Sequence, residues 1–168
     1  GAPDAWTKVA GSADVEDGDA VRTGEGTCIL QYGDIATFAV EAHSTLVVKT
    51  GEFEDLNLQI GKIKALVDKS KVVKPFRVLT PAAVAAIRGT EVDFGFNEDG
   101  QLTIDLHNGD IQVVNDEAGM KVDLGGKKSI TVFYAAASGI LKVRNECTSD
   151  EKVVFSIQGT EYTQSPCE

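Results

Sequence analysis

Almost every apolar segment of this chain is short, alternates apolar with polar residues, and closes on a glycine or an Asn/Asp turn signal. A period of two puts successive side chains on opposite faces, so each segment reads as a strand with one face buried and one wet. Val92, Phe94 and Phe96 alternating with Glu91, Asp93 and Gly95 are the clearest case. The pattern predicts strands over Cys28 to Tyr32, Ile35 to Val40, Thr45 to Lys49, Leu56 to Ile60, Lys62 to Val67, Phe76 to Leu79, Thr90 to Phe96 and Leu102 to Leu106. It continues through Ile111 to Val114, Met120 to Leu124, Ser129 to Tyr134, Ile140 to Val143 and Val153 to Ile157. The segments Asn97 to Gly100 and His107 to Asp110 read as hairpin turns, since Asn and Gly tolerate the positive φ that tight turns demand. Helix is expected at most for a turn or two near Ala82 to Ala86 or Tyr134 to Ala137.

The fold class is therefore all-β, either β-solenoid-like or a rolled antiparallel stack of short strands and hairpins. Internal echoes suggest repeated corners. Gly61-Lys62-Ile63-Lys64-Ala65 resembles Gly109-Asp110-Ile111-Gln112-Val113, and Ile87-Arg88-Gly89-Thr90-Glu91 resembles Ile157-Gln158-Gly159-Thr160-Glu161. A composition shift at Gly125-Gly126-Lys127-Lys128 divides the chain into a main β body, 1–124, and a C-terminal hairpin extension, 125–168, that can pack as part of the same domain.

With 168 residues, 42% of them hydrophobic, the chain is long enough to build an ordinary core. Its net charge of -10, with no basic stripe interleaved with aromatics, argues against a nucleic-acid or anionic-membrane partner. No apolar run approaches the roughly 20 residues that span a bilayer, and no charged segment leads into an apolar one at the start, so the chain reads as a soluble, trimmed segment that does not insert into a membrane. Of three cysteines, Cys147 and Cys167 are spaced to staple a terminal hairpin, worth roughly 3 kcal/mol on loop entropy, and such a bond would imply an oxidising compartment. Cys28 shares a strand face with Leu30 and Tyr32 and reads as a buried free thiol.

Candidate chemistry is sparse. His43 and His107 are the two histidines; His107 beside Asn108-Gly109 reads as an exposed turn residue, and no Cys or His spacing resembles a metal site. A Cys28/His43 nucleophile pair has the right residue types but a thiol with nothing nearby to lower its pKa. Asp14, Glu16, Asp17 and Asp19 around Gly18 fail the EF-hand spacing and read as a solvated turn. No catalytic residue, metal ligand or cofactor is expected. Arg88 stands out for its setting between apolar residues and a glycine, where a guanidinium can tie down corner carbonyls, pair with Glu91 or Asp93, or contact a partner. Arg22 has a similar setting, and Trp6 reads as a cap on an open end of the stack.

Gly18-Asp19-Ala20-Val21-Arg22-Thr23-Gly24, Thr80-Pro81 followed by Ile87-Arg88-Gly89-Thr90-Glu91, and Gly109-Asp110-Ile111-Gln112-Val113 occur in an order that resembles the FecR domain of bacterial envelope proteins. The resemblance covers roughly Trp6 to Val114. It implies a periplasmic or extracellular domain that senses or regulates through contact with another envelope protein, for which exposed strand edges suit β-augmentation. Arg22, Thr23, Arg88, Gly89 and Thr90 are the candidates for corner-building or partner contact. A cell-wall or glycan-binding module is the alternative, though 7% aromatic is thin for a sugar platform. A hydrolase with dispersed carboxylates or the Cys28 thiol is a more distant one.

Overall fold

A computed structural model describes residues 6–72, 74–145 and 153–164. None of these residues is helical, and no helix among them is long and apolar enough to cross a membrane. Thirteen strands run in chain order: β1 (Ala20–Arg22), β2 (Cys28–Tyr32), β3 (Ala36–Val40), β4 (Thr45–Thr50), β5 (Glu54–Val67), β6 (Phe76–Leu79), β7 (Val84–Phe96), β8 (Gln101–Asn115), β9 (Met120–Gly125), β10 (Lys128–Ala135), β11 (Ile140–Asn145), β12 (Val153–Ile157) and β13 (Thr160–Gln164). The all-β expectation holds: the strands form one open sheet, antiparallel except for the parallel pair β5–β6.

All thirteen strands belong to one hydrogen-bonded sheet that folds into two layers over a single core. Three long strands, β5, β7 and β8, pass from one layer to the other. In the first layer their halves lie in the order β1-β4-β5-β6-β7-β8-β9-β12-β13. In the second, β3 and β2 extend from β5, while β10 and β11 extend from β8. Strand β6 is the wedge that separates the layers. It runs parallel to Glu54–Asn57 and antiparallel to Val84–Ile87, whereas beyond the bend Gly61–Leu66 pairs directly with Glu91–Phe96. Arg77 of β6 fixes this parallel register, donating from Nε and Nη2 to Asp55 Oδ1 and Oδ2 at 2.8 and 2.7 Å, with its guanidinium 4.0 Å above the Phe53 ring.

The crossing points are written in the alternation. On β5 the buried residues are Leu56 and Leu58 before Gly61, but Ile63, Ala65 and Val67 after it. On β7, Ala85 and Ile87 give way to Thr90, Val92, Phe94 and Phe96 across Gly89; on β8, Leu102, Ile104 and Leu106 give way to Ile111, Val113 and Asn115 across Gly109. A shift of one residue moves every later side chain to the opposite face, so each shift keeps the apolar set inward as the strand turns into the other layer. The three glycines adopt φ of +106°, +101° and +101°, a region that L side chains avoid.

Several expectations change as a result. Leu56 to Ile60 and Lys62 to Val67 form the single strand β5, and Leu102 to Leu106 and Ile111 to Val114 form the single strand β8. His107 to Asp110 is thus a corner inside β8 and not a hairpin, because β8 stays paired with β7 on both sides of it. The echo at Gln158-Gly159 is a true two-residue turn, with φ of +51° and +80°, unlike the mid-strand bend at Gly89. Ala82 to Ala86, read as a helical turn, is a Thr80-Pro81 turn leading into β7, closed by Thr80 N–H and Oγ1 on the Ala83 carbonyl. Tyr134 and Ala135 end β10 as strand. Strands β1 and β13 were not anticipated.

Candidate functional site

The first corner is built by Thr23. Its Oγ1 donates to the Glu41 carbonyl at 2.5 Å and accepts from the Ser44 N–H at 2.9 Å, while Thr23 N–H donates to the Ser44 carbonyl. Buried Ser44 in turn accepts the Lys62 N–H at 2.9 Å through Oγ, next to Gly61, where a Cβ would collide with the Ser44 side chain. Thr23 therefore fixes the loop against which β5 bends. Neighbouring Arg22 points outward, its guanidinium 4.4 Å above the half-buried Trp6 ring.

At the second corner, Gly89 packs against Lys69 and Thr90 is buried, its Oγ1 without a hydrogen-bond partner among the described residues. Gly109 fits against this same corner; a Cβ there would run into the Gly89 carbonyl and stand 2.9 Å from Thr90 Cα. Arg88 differs from its expected role. It is exposed and its side chain makes no hydrogen bond or ion pair with the described residues, so it neither ties corner carbonyls nor pairs with Glu91 or Asp93. The reason is the change of phase at Gly89: the side chain immediately before it faces solvent.

The other sequence candidates separate. Cys28 is free but only partly buried, against the expectation of a buried thiol. His43, at φ +58°, places Nε2 3.3 Å from Glu25, and no hydrogen bond joins it to Cys28. Asp19 accepts the Glu16 N–H through Oδ2 and Asp17 the Thr50 N–H through Oδ1, both at 2.8 Å, so these carboxylates shape a turn. Cys147 and Cys167 lie outside the described residues. Of the aromatic rings, Phe38, Phe76, Phe94 and Phe96 are buried and Tyr32, Phe38 and Phe76 pack edge to face or tilted at 5.0–5.6 Å, while Tyr162 is exposed and Trp6, Phe53, Phe133 and Tyr134 are partly so. Burial raises the Tyr32 hydroxyl to about 12, with the Glu54 charge adding to the shift.

The outer face of the second layer carries the group that a linear reading misses. Asp93 of β7 and Asp105 of β8 are direct cross-strand partners, and His107, two residues on, shares their face. His107 Nε2 lies 3.1 Å from Asp93 Oδ2. That hydrogen bond, then the Asp93, Asp105 and Glu91 charges, holds the imidazole above its ordinary value of 6.5 against some desolvation. His107 is thus a strand residue with a carboxylate partner and not the turn residue its neighbours suggested. On the same side an open cleft of about 700 Å³ runs between Glu41, Lys62, Gly95, Phe96 and Thr103, and a shallower one of about 310 Å³ lies by Asp99, Thr131, Phe133 and Lys142. Neither is lined by a histidine, cysteine or serine.

At the other extreme of this layer, β2 pairs with β3 alone, leaving its far edge unpaired among the described strands. Ile29 on that edge and Leu66 on the adjoining face are 56% and 59% exposed. Ile29 is in line with Ala39 and Lys64, and Leu66 with Thr37 and Gln31, so the two lie on one face, two strands and two residues apart.

Residues 19–112 match the family described as FecR protein. No curated protein matches the sequence. Two crystal structures of a candidate anti-sigma factor from Parabacteroides distasonis ATCC 8503, at 2.50 and 1.65 Å resolution, share the fold with a TM-score of 0.60 each. Their sequence identities to this chain are 17% and 16%, and each match covers 76% of it and 59% of the crystallised chain. The chain thus spans little more than half the length of the structures it matches.

Proposed function

The chain belongs to the FecR family, and we propose that it is a non-enzymatic regulatory module of the cell envelope that acts outside the cytoplasmic membrane by binding another protein. One observation carries the mode of binding: the unpaired edge of β2, which bears exposed Ile29, with exposed Leu66 on the same face two strands in. An open edge offers a row of N–H and C=O groups to an incoming strand, and apolar side chains beside it supply the contact area that fixes register. The long sheet, anchored through β3 to β5, holds that edge rigid. The net charge of -10 supports a protein partner over a polyanion. The candidate anti-sigma factors of the same fold support a regulatory setting.

Photo-cross-linking in the native host tests this. A photoreactive residue at Ile29 should give one defined protein adduct, and the same residue at Ile140, on the edge strand β11 at the opposite end of the layer, should not. Equal labelling from both positions, or none from Ile29 in a folded protein, refutes the assignment of the β2 edge.

A further inference from the structure

The regulatory reading makes no use of the Asp93, Asp105 and His107 constellation, and its electrostatics are unusual for a solvated sheet face. Asp93 and Asp105 stand directly opposite each other, where like charges destabilise a strand pair. Lys64 is the partner of Asp93 on the other side, yet its ammonium reaches Glu41 at 3.5 Å instead. Among the described residues no lysine or arginine forms an ion pair with Asp93 or Asp105. Glu91, on the same face of β7, adds further negative charge. The side chains of Asp93 and His107 are only 23% and 37% exposed, so water screens them incompletely.

An acidic pair alone would be an ordinary surface. Here an imidazole nitrogen converges on it, and the three donor atoms all lie within 4.8 Å of one another. We infer that Asp93, Asp105 and His107 form a binding site for a divalent cation of the zinc class. Zinc and its neighbours bind imidazole nitrogen and carboxylate oxygen at about 2.0–2.2 Å, so the donors need to close to roughly 3–4 Å spacing. Side-chain rotation accomplishes that, because one pair of atoms is already 3.1 Å apart. The nitrogen donor selects a borderline transition metal over calcium or magnesium, which take oxygen ligands in greater number. The strands that carry the donors are paired on both sides, β7 by β5 and β8 by β10, so the ligands stand on a rigid base. Three protein donors leave a fourth position open on the exposed side of His107, for water or for a group from a bound molecule.

Titration calorimetry of the chelator-stripped full chain with Zn2+, and absorption spectroscopy with Co2+, decide the matter. Expected are one ion per chain, a Co2+ d–d spectrum, and a loss of affinity of at least about tenfold in both Asp105→Asn and His107→Gln. Metal-free Asp105→Asn should melt no lower than the parent, since it removes a like-charge contact. His43→Gln, which alters the other imidazole–carboxylate pair, and alkylation of the thiols should leave binding unchanged. Absence of saturable binding, retention of affinity in either site variant, or loss on His43→Gln or thiol alkylation overturns the assignment. None of these outcomes bears on the β2 edge.

Discussion

Replacing Gly109 with alanine isolates the contribution of a layer crossing to stability. Two costs add at this position. A φ of +101° is costly for any residue with a Cβ, about 1–3 kcal/mol. The added methyl also meets the Gly89 carbonyl and Thr90 Cα, both backbone of the neighbouring strand, and such overpacking costs about 1–3 kcal/mol. Their sum is about 4 kcal/mol. Gly33→Ala is the matched control: its φ is +54° and nothing lies within 4 Å of the new Cβ, which leaves about 1 kcal/mol of backbone strain alone. Gly89→Ala should fall between them, because its obstacle is exposed Lys69 in a connecting loop, which can move. Urea and thermal denaturation followed by circular dichroism measure all three. The Gly109 variant should melt about 6–12 °C below the Gly33 variant, from about 2–4 °C per kcal/mol for a chain of this size. A Gly109→Ala protein within about 1 kcal/mol of Gly33→Ala would refute the claim that these glycines are obligatory corners, since strain and overlap together demand several times that gap.

Two further outcomes follow from single side chains. Asn115, buried in β8, donates from Nδ2 to the Ala82 carbonyl at 2.8 Å and accepts the Ala118 N–H at 3.0 Å, so Asn115→Leu orphans both groups. It should lower stability by about 2 kcal/mol in urea denaturation, and a loss below about 0.5 kcal/mol would show that water or a shifted backbone satisfies them. In chelator-treated protein, His107 should titrate above 6.5 by NMR and fall back toward that value in Asp93→Asn. Because the folded imidazole holds its proton more tightly, its contribution to stability is full below about pH 6.5 and vanishes as pH rises through the raised folded value. Partial exposure keeps that contribution small. A titration at or below 6.5 contradicts the hydrogen bond to Asp93.

The strands were legible in the sequence because alternation is a local property. Val92, Phe94 and Phe96 announce a half-buried strand without reference to anything else. What a glycine does was not legible. Asn108-Gly109 satisfies a hairpin turn and a mid-strand corner equally well, and the outcome depends on β7, whose Thr90 stands opposite Gly109. Ala82 to Ala86 looked helical because alanine on both faces erases the period of two; Ala82 and Ala83 are buried in a tight turn, and only the pairing of Val84–Ile87 with β6 and β8 reveals strand. The outward direction of Arg88 was hidden for a related reason, since it is set by the phase change one residue later. The Asp93, Asp105 and His107 group was within reach. Counting outward equally from a five-residue loop, Asn97 to Gln101, sets Asp93 against Asp105 with His107 on the same face, whereas the four-residue turn Asn97 to Gly100 sets Asp93 against Ile104. The β2 edge had no local signal, because being unpaired is a property of the whole sheet.

The central claim is regulation through protein contact at the β2 edge, and a chromosomal substitution tests it most directly. Ile29→Lys puts a charge on that edge while leaving the core untouched, since Ile29 is exposed. Transcript profiles of the host should change in the same genes, in the same direction, whether the chain is deleted or carries Ile29→Lys. A deletion that shifts transcripts while the stably expressed Ile29→Lys protein behaves as the parent would contradict binding through this edge, and a deletion without transcriptional effect would contradict regulation itself.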